Sequence, residues 1–113
     1  MEQRRVVITG LGAVTPLGLT AEDSWQAVRR GVCGIGPITH YDASAQKVKL
    51  AAEVKDFVPE NYLGRPEAKR MARFTQFAVV AAKQALADAG FSAEQTDPDR
   101  CGVIVSSGIG GQA

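Results

Sequence analysis

The order of elements predicts an α/β architecture, helices packed on a mainly parallel sheet, and three observations lead there. Residues 5–9 and 102–107 are β-branched runs with no polar alternation at their centres, the pattern of strands covered on both faces. Along the chain the signals run strand, helix, weak strand, long helix, strand, which suits layered βα units. Residues 77–82 are six apolar residues in succession, and at about 100° per residue they encircle a helix that needs cover on every side.

Taken in order, the first strand ends at Gly10, and residues 10–18 form a glycine-punctuated loop. Thr20 is placed to cap a helix over residues 21–30, with Trp25 and Val28 on one face. Gly31, Gly34, Gly36 and Pro37 stop that helix and begin an irregular stretch through His40 and Asp42. Residues 49–54 read as a weaker strand. Pro66 and Glu67 suit the first turn of one long helix reaching Ala89 and closed by Gly90. Its many alanines permit close approach of neighbouring layers, yet the rest of the chain offers too few elements to cover it. Residues 92–100 are a polar loop broken at Asp97-Pro98, and the second buried-looking strand follows.

Composition narrows the function classes. A chain of 113 residues, 45% hydrophobic and 22% charged, is ordinary globular material rather than a disordered or disulfide-scaffold protein. A net charge of +1 gives no global reason to expect nucleic acid or an anionic membrane. Cys33 and Cys101 lie far apart without metal-ligand spacing, which predicts a reducing, cytoplasmic setting. No apolar stretch is long enough to span a bilayer, and the N-terminal run is too short for a secretory signal, so the expectation is a soluble protein.

Individual motifs are weak alone. Gly10-Leu11-Gly12 after a strand invites a dinucleotide-binding reading, but Thr15 stands at the third glycine position, Pro16 follows, and no acidic residue closes a second strand; a tight structural turn fits better. Cys33 falls just past a helix C-terminus, where the dipole disfavours a thiolate, and Cys101 reads as a small core residue. His40 is the only histidine, so neither a two-imidazole mechanism nor a histidine metal cluster can be built from this chain. Arg65, Lys69, Arg70 and Arg73 cluster at the start of the long helix, with Lys69 and Arg73 on one face. Cations there oppose the positive end of the helix dipole, which points either to an anionic partner or to a solvated face paired in part with Glu67. Gly108-Ile109-Gly110-Gly111 is a flexible turn of the kind found beside bound substrates.

Four motifs in sequence carry more weight than any one. Val6-Val7-Ile8-Thr9-Gly10-Leu11-Gly12-Ala13-Val14-Thr15-Pro16-Leu17-Gly18, then Gly34-Ile35-Gly36-Pro37-Ile38-Thr39, then Arg70-Met71-Ala72-Arg73-Phe74-Thr75-Gln76-Phe77-Ala78, then Gly108-Ile109-Gly110-Gly111 resemble the N-terminal part of the β-ketoacyl-acyl-carrier-protein synthases. The likeness is strongest to the type II 3-oxoacyl synthases, and polyketide ketosynthases share several of the same patterns. It runs the length of the chain.

The resemblance implies a thiolase-like fold, two related α/β halves stacked as five αβαβα layers in a homodimer, of which residues 1–113 would supply part of the first half. It implies a decarboxylating Claisen condensation in fatty-acid elongation: an acyl group passes from acyl carrier protein to a cysteine, and malonyl carrier protein loses carbon dioxide and attacks the thioester. A thiolate is a strong nucleophile and its thioester stays electrophilic. Two histidines and a lysine assist in the family. None of these groups has a counterpart here, so the chain by itself is expected not to condense. Lys69 and Arg70 match basic positions by which the family docks acidic carrier protein, with Arg65 a looser addition and Pro66 replacing a position that is often basic. Ile109 matches an apolar gate of the acyl pocket, flanked by Gly108, Gly110 and Gly111. No cofactor or metal is implied. Two other function classes stay open: a non-catalytic carrier-binding or dimer-forming module, and a small nucleotide-binding domain.

Overall fold

The computed structural model describes residues 1–111; the last two residues of the expected 1–113 span lie outside it. Its elements are helix α1 (Ala21–Arg29), strands β1 (Gly36–Pro37) and β2 (Leu50–Ala51), helix α2 (Arg65–Arg70) and helix α3 (Arg73–Asp88), with 3-10 turns at Pro59–Asn61, Ala93–Gln95 and Pro98–Arg100.

Local chemistry places the helix ends. Thr20 caps α1, its Oγ1 accepting from the Asp23 amide at 3.0 Å. Past the C-terminus, Gly31 at φ +69° lets its own amide reach Val28 O and the Val32 amide reach Ala27 O, a Schellman closure. Gly90 at φ +62° does the same for α3, with Gly90 N donating to Ala87 O and Phe91 N to Leu86 O.

The single long helix expected from Pro66 to Ala89 is two helices. Met71 and Ala72 are extended at ψ 134° and 155°, which ends α2 and starts α3 without a side-chain cap. No proline or glycine marks the break; tertiary packing overrides helix propensity. The buried Gln76 carboxamide donates to Ala68 O at 2.8 Å and to Met71 O at 3.4 Å, satisfying carbonyls that the break releases. Ala68 thereby enters the core with Phe57, Leu63 and Val80, and Met71, Phe77 and Val79 pack around them. Phe57 stacks on Tyr62 and meets Phe77 edge-on at 5.0 Å between centroids.

On another side of α3 the chain lies unusually close. A Cβ at Gly12 would run into the Ala81 carbonyl and come within 2.8 Å of the Ala85 amide nitrogen; one at Gly10 would meet the Ala85 carbonyl and Ala89. The helix answers with side chains: Asp88 Oδ2 accepts from the Leu11 amide at 2.9 Å, Gln84 Oε1 accepts from the Ala13 amide at 3.1 Å, and Gln84 Nε2 donates to Leu19 O at 2.7 Å. Residues 10–19 thus form a layer on α3 without any strand ladder.

Sheet structure is sparse. The weak strand expected over 49–54 shrinks to β2, which pairs antiparallel with β1 in the register Gly36 to Ala51 and Pro37 to Leu50. Beyond it, Glu53 accepts from the Thr39 amide, the Thr39 hydroxyl and the His40 amide. These hydrogen bonds, the Thr39 hydroxyl first, hold the Glu53 carboxyl below its ordinary pKa. Asp42 is likewise lowered, by hydrogen bonds from Ser44. Residues 5–9 and 102–107, expected as buried strands, carry no strand hydrogen bonding, and Val6 and Ile104 are 93% and 98% exposed. A strand forms only against a partner edge, and neither segment has one here. The Cα radius of gyration, 17.4 Å, exceeds the roughly 13 Å of a compact domain of this length, as extended uncovered segments require.

Two predictions follow from these contacts. Gly12→Ala lowers unfolding stability by about 2 kcal/mol, because the added methyl meets backbone that cannot rotate away. Gly36→Ala, where nothing lies within 4 Å of the new Cβ, stays within about 0.5 kcal/mol; denaturant midpoints of the two variants check the contrast, and equal midpoints contradict it. Because the folded Glu53 pKa is depressed, its contribution is present above the ordinary carboxylate range and is lost as pH falls through the lowered value. The Thr39 amide resonance should titrate below the ordinary glutamate range and stop titrating in Glu53→Gln; a midpoint in the ordinary range contradicts the hydrogen-bond account.

Candidate functional site

The basic residues singled out in the sequence sit on α2 and the first turn of α3. Arg65 opens α2, and Lys69 and Arg70 occupy its last turn; all three are exposed. This corrects the dipole reading. With the break after Arg70, Lys69 and Arg70 stand at a helix C-terminus, where cations are favoured, so helix electrostatics no longer require an anionic partner to explain them. It also separates Lys69 from Arg73, which belong to different helices and share no face.

Arg73 is exposed, but its head group is engaged by aromatic rings. Its guanidinium carbon lies 5.3 Å from the Phe57 ring centroid and 5.2 Å from that of Phe77, a cation–π arrangement on two rings. Glu67 does not pair with the cluster: among the described residues the one acid–base approach within 4 Å is His40 to Glu53, at 3.9 Å. Arg65, Lys69 and Arg70 therefore present their charge to solvent from a helix anchored by buried Ala68.

The second expected site, residues 108–111, lies against the start of α3. Ile109 is 77% exposed. The Gly110 amide donates to Ser107 Oγ at 2.8 Å, and a Cβ at Gly110 would come within 2.6 Å of Phe74 Cδ2. Gly111, at φ +81°, lies over the same ring. Phe74 falls within the Arg70 to Ala78 motif and beside the apolar run of α3, but neither signal assigns it a site role. A groove of about 650 Å³ runs beside it, between Ala78, Ala82 and Leu86 of α3 and Val103 and Val105 of the extended segment. Ile109 does not line that groove. The exposed cations of α2 lie close in sequence to the residue that meets the glycine turn, Phe74 being four residues after Arg70.

Other sequence candidates fall elsewhere. Cys33 and Cys101 are both exposed, so Cys101 is not the core residue expected; its Sγ approaches Asp97 O at 3.4 Å. His40 is exposed, with Nε2 3.9 Å from Glu53 Oε1. The Gly10–Gly12 pair serves close helix packing, and a carboxylate already occupies the Leu11 amide that a pyrophosphate would use, which removes the nucleotide reading. Among the described residues no cluster of three or more His, Cys, Asp or Glu could hold a metal ion, and no helix is long and apolar enough to cross a membrane.

Comparison with known proteins accounts for the whole span. The family model described as Beta-ketoacyl synthase, N-terminal domain, matches residues 3–113. The chain is 50% identical over 111 residues to 3-oxoacyl-[acyl-carrier-protein] synthase 2 of Synechocystis sp., covering 98% of this chain and 27% of that protein. It is 48% identical to the synthase 2 of Coxiella burnetii, with the same two coverages of 98% and 27%. Among solved structures, the ishigamide ketosynthase/chain length factor superposes with a TM-score of 0.74 at 35% identity, over 82% of this chain and 23% of that one. A β-ketoacyl synthase from Burkholderia phymatum gives 0.65 at 32% identity, over 86% and 24%. The chain thus spans about a quarter of the length of the relatives it matches. A match that takes in all but the first two residues, carried by both sequence and fold, makes this chain a member of the β-ketoacyl synthase family.

Proposed function

We propose that this chain acts within a fatty-acid-elongating ketosynthase of the synthase II type, a cytoplasmic homodimer that condenses an acyl-enzyme with malonyl carrier protein. Residues 1–113 are then part of the N-terminal ketosynthase domain, in a five-layer thiolase-like assembly whose sheet is mainly parallel. The observation that carries the reading is 50% identity over 98% of the chain with a protein named for carrier-bound 3-oxoacyl synthesis.

Within that activity the chain's own residues bind and admit substrate. Lys69 and Arg70, with Arg65, form an exposed cationic patch on α2 with no carboxylate within 4 Å among the described residues, a fitting surface for an acidic acyl carrier protein. Such patches steer encounter and set register more than they add affinity. Ile109, flanked by Gly108, Gly110 and Gly111, is the apolar gate at the acyl-chain pocket, where glycine lets the backbone swing. The chemistry itself falls to groups outside this chain: Cys33 and Cys101 are exposed and neither matches the family's nucleophile, and His40 has no second imidazole to work with.

Charge reversal tests the docking role. In the protein, Lys69→Glu with Arg70→Glu weakens acyl carrier protein binding by about tenfold or more at low salt and flattens its salt dependence. A titration read at two ionic strengths, with unchanged affinity and unchanged slope, would remove carrier docking from this face.

A further inference from the structure

The contact between Phe74 and the glycine turn is not explained by core packing. Phe74 is 40% exposed and stands outside the buried cluster of Phe57, Leu63, Ala68 and Val80. Its ring nevertheless lies directly against backbone. A Cβ at Gly110 would sit 2.6 Å from Phe74 Cδ2 and 2.7 Å from Cγ, and one at Gly111 3.1 Å from Cε1. Two consecutive residues without side chains therefore present their main chain to one aromatic face, an approach that any larger residue at Gly110 would prevent. The Gly110 amide, held by Ser107 Oγ at 2.8 Å, keeps the turn closed on its other side.

Phe74 itself is held firmly at one end and freely at the other. It is the second residue of α3, next to Arg73, whose guanidinium lies over the Phe57 and Phe77 rings. Two residues further on, Gln76 ties α3 back to the Ala68 and Met71 carbonyls. The backbone beneath Phe74 is thus fixed to the core and to α2, while its ring projects to the turn. Among the described residues, 108–111 have no strand hydrogen bonds and Gly108 has open space about it, and the contacts seen at the turn are the ring and the Ser107 hydroxyl.

We propose that Phe74 is a positioning residue that latches residues 108–111 onto the start of α3 and so controls how readily the turn opens. Its meaning for acyl-chain admission rests on reading Ile109 as the gate, as proposed above. The turn opens when the ring contact and the Gly110 to Ser107 hydrogen bond are given up together, and closes when the ring recovers the bare backbone of Gly110 and Gly111.

The test is amide hydrogen exchange and chemical shift at Gly110 and Gly111 in the protein. Phe74→Leu keeps an apolar side chain but removes the ring. It should erase the ring-current displacement of both amides and speed Gly110 exchange about fivefold or more, with exchange at Val80 unchanged. Phe74→Tyr, which keeps the ring, should restore the parent behaviour. Gly110→Ala supplies the second variant: its methyl runs into both the Ser107 hydroxyl and the Phe74 ring, so it gives up the two contacts together and should speed exchange at residue 110 at least as much as Phe74→Leu. Unchanged amide exchange at residue 110 in both Phe74→Leu and Gly110→Ala overturns the latch. Acyl-chain length selectivity, measured in a condensing synthase that contains this segment, separates the two readings: faster exchange with unaltered selectivity keeps the latch and removes the gate.

Discussion

The arrangement depends on how closely residues 10–13 lie on α3. Backbone meets backbone where Gly12 faces Ala81 and Gly10 faces Ala85 and Ala89, and the approach is possible because neither side carries more than a methyl group. Two polar side chains of the same helix then take up the amides that the approach turns toward it, Asp88 at Leu11 and Gln84 at Ala13. The Leu11 hydrogen bond is exposed and the Ala13 one part-buried, each a modest contribution that fixes the register of the layer on the helix. With that layer in place, Val14 and Leu19 reach the core around Val80, and the other side of α3 stays free to receive Phe57 and Leu63.

How far these features could be read beforehand follows how local each one is. Thr20, Gly31 and Gly90 were legible because a cap or a Schellman closure depends on residues within one turn of chain. The break at Met71 and Ala72 was not, since it is stabilised by Gln76 and by core packing around Ala68 rather than by a breaker residue. Gly10 and Gly12 read as a tight turn and the alanines of the long helix as permitting close approach; that the two meet, against Ala81, Ala85 and Ala89, is a contact across some seventy residues. Residues 5–9 and 102–107 read as strands covered on both faces; their composition is as expected, yet no ladder forms among the described residues.

The candidate site shows the same division. Lys69, Arg70 and Arg65 were identifiable as a cationic group, whereas the sign of the helix field acting on them depended on a boundary the sequence does not mark. Arg73, nominally of the same cluster, is drawn off by two aromatic rings, which leaves a smaller and more sharply placed patch. The apolar surfaces left open, Val103 and Leu86 among them, suit a family whose relatives are nearly four times as long as this span. Helix α3, apolar around its circumference over residues 77–82, meets that situation directly: one side is closed by residues 10–19 and the core, and the other borders an open groove.

Site-resolved amide hydrogen exchange tests the central claim, that residues 10–13 are held on α3 by Asp88 and Gln84. The account predicts strong protection at Leu11 and Ala13, approaching that of Val80 in α3, with Val6, Val7 and Ile104 exchanging freely. Leu11 and Ala13 exchanging as fast as Val7 would contradict it, because the layer on which the fold depends would then not be held by the helix.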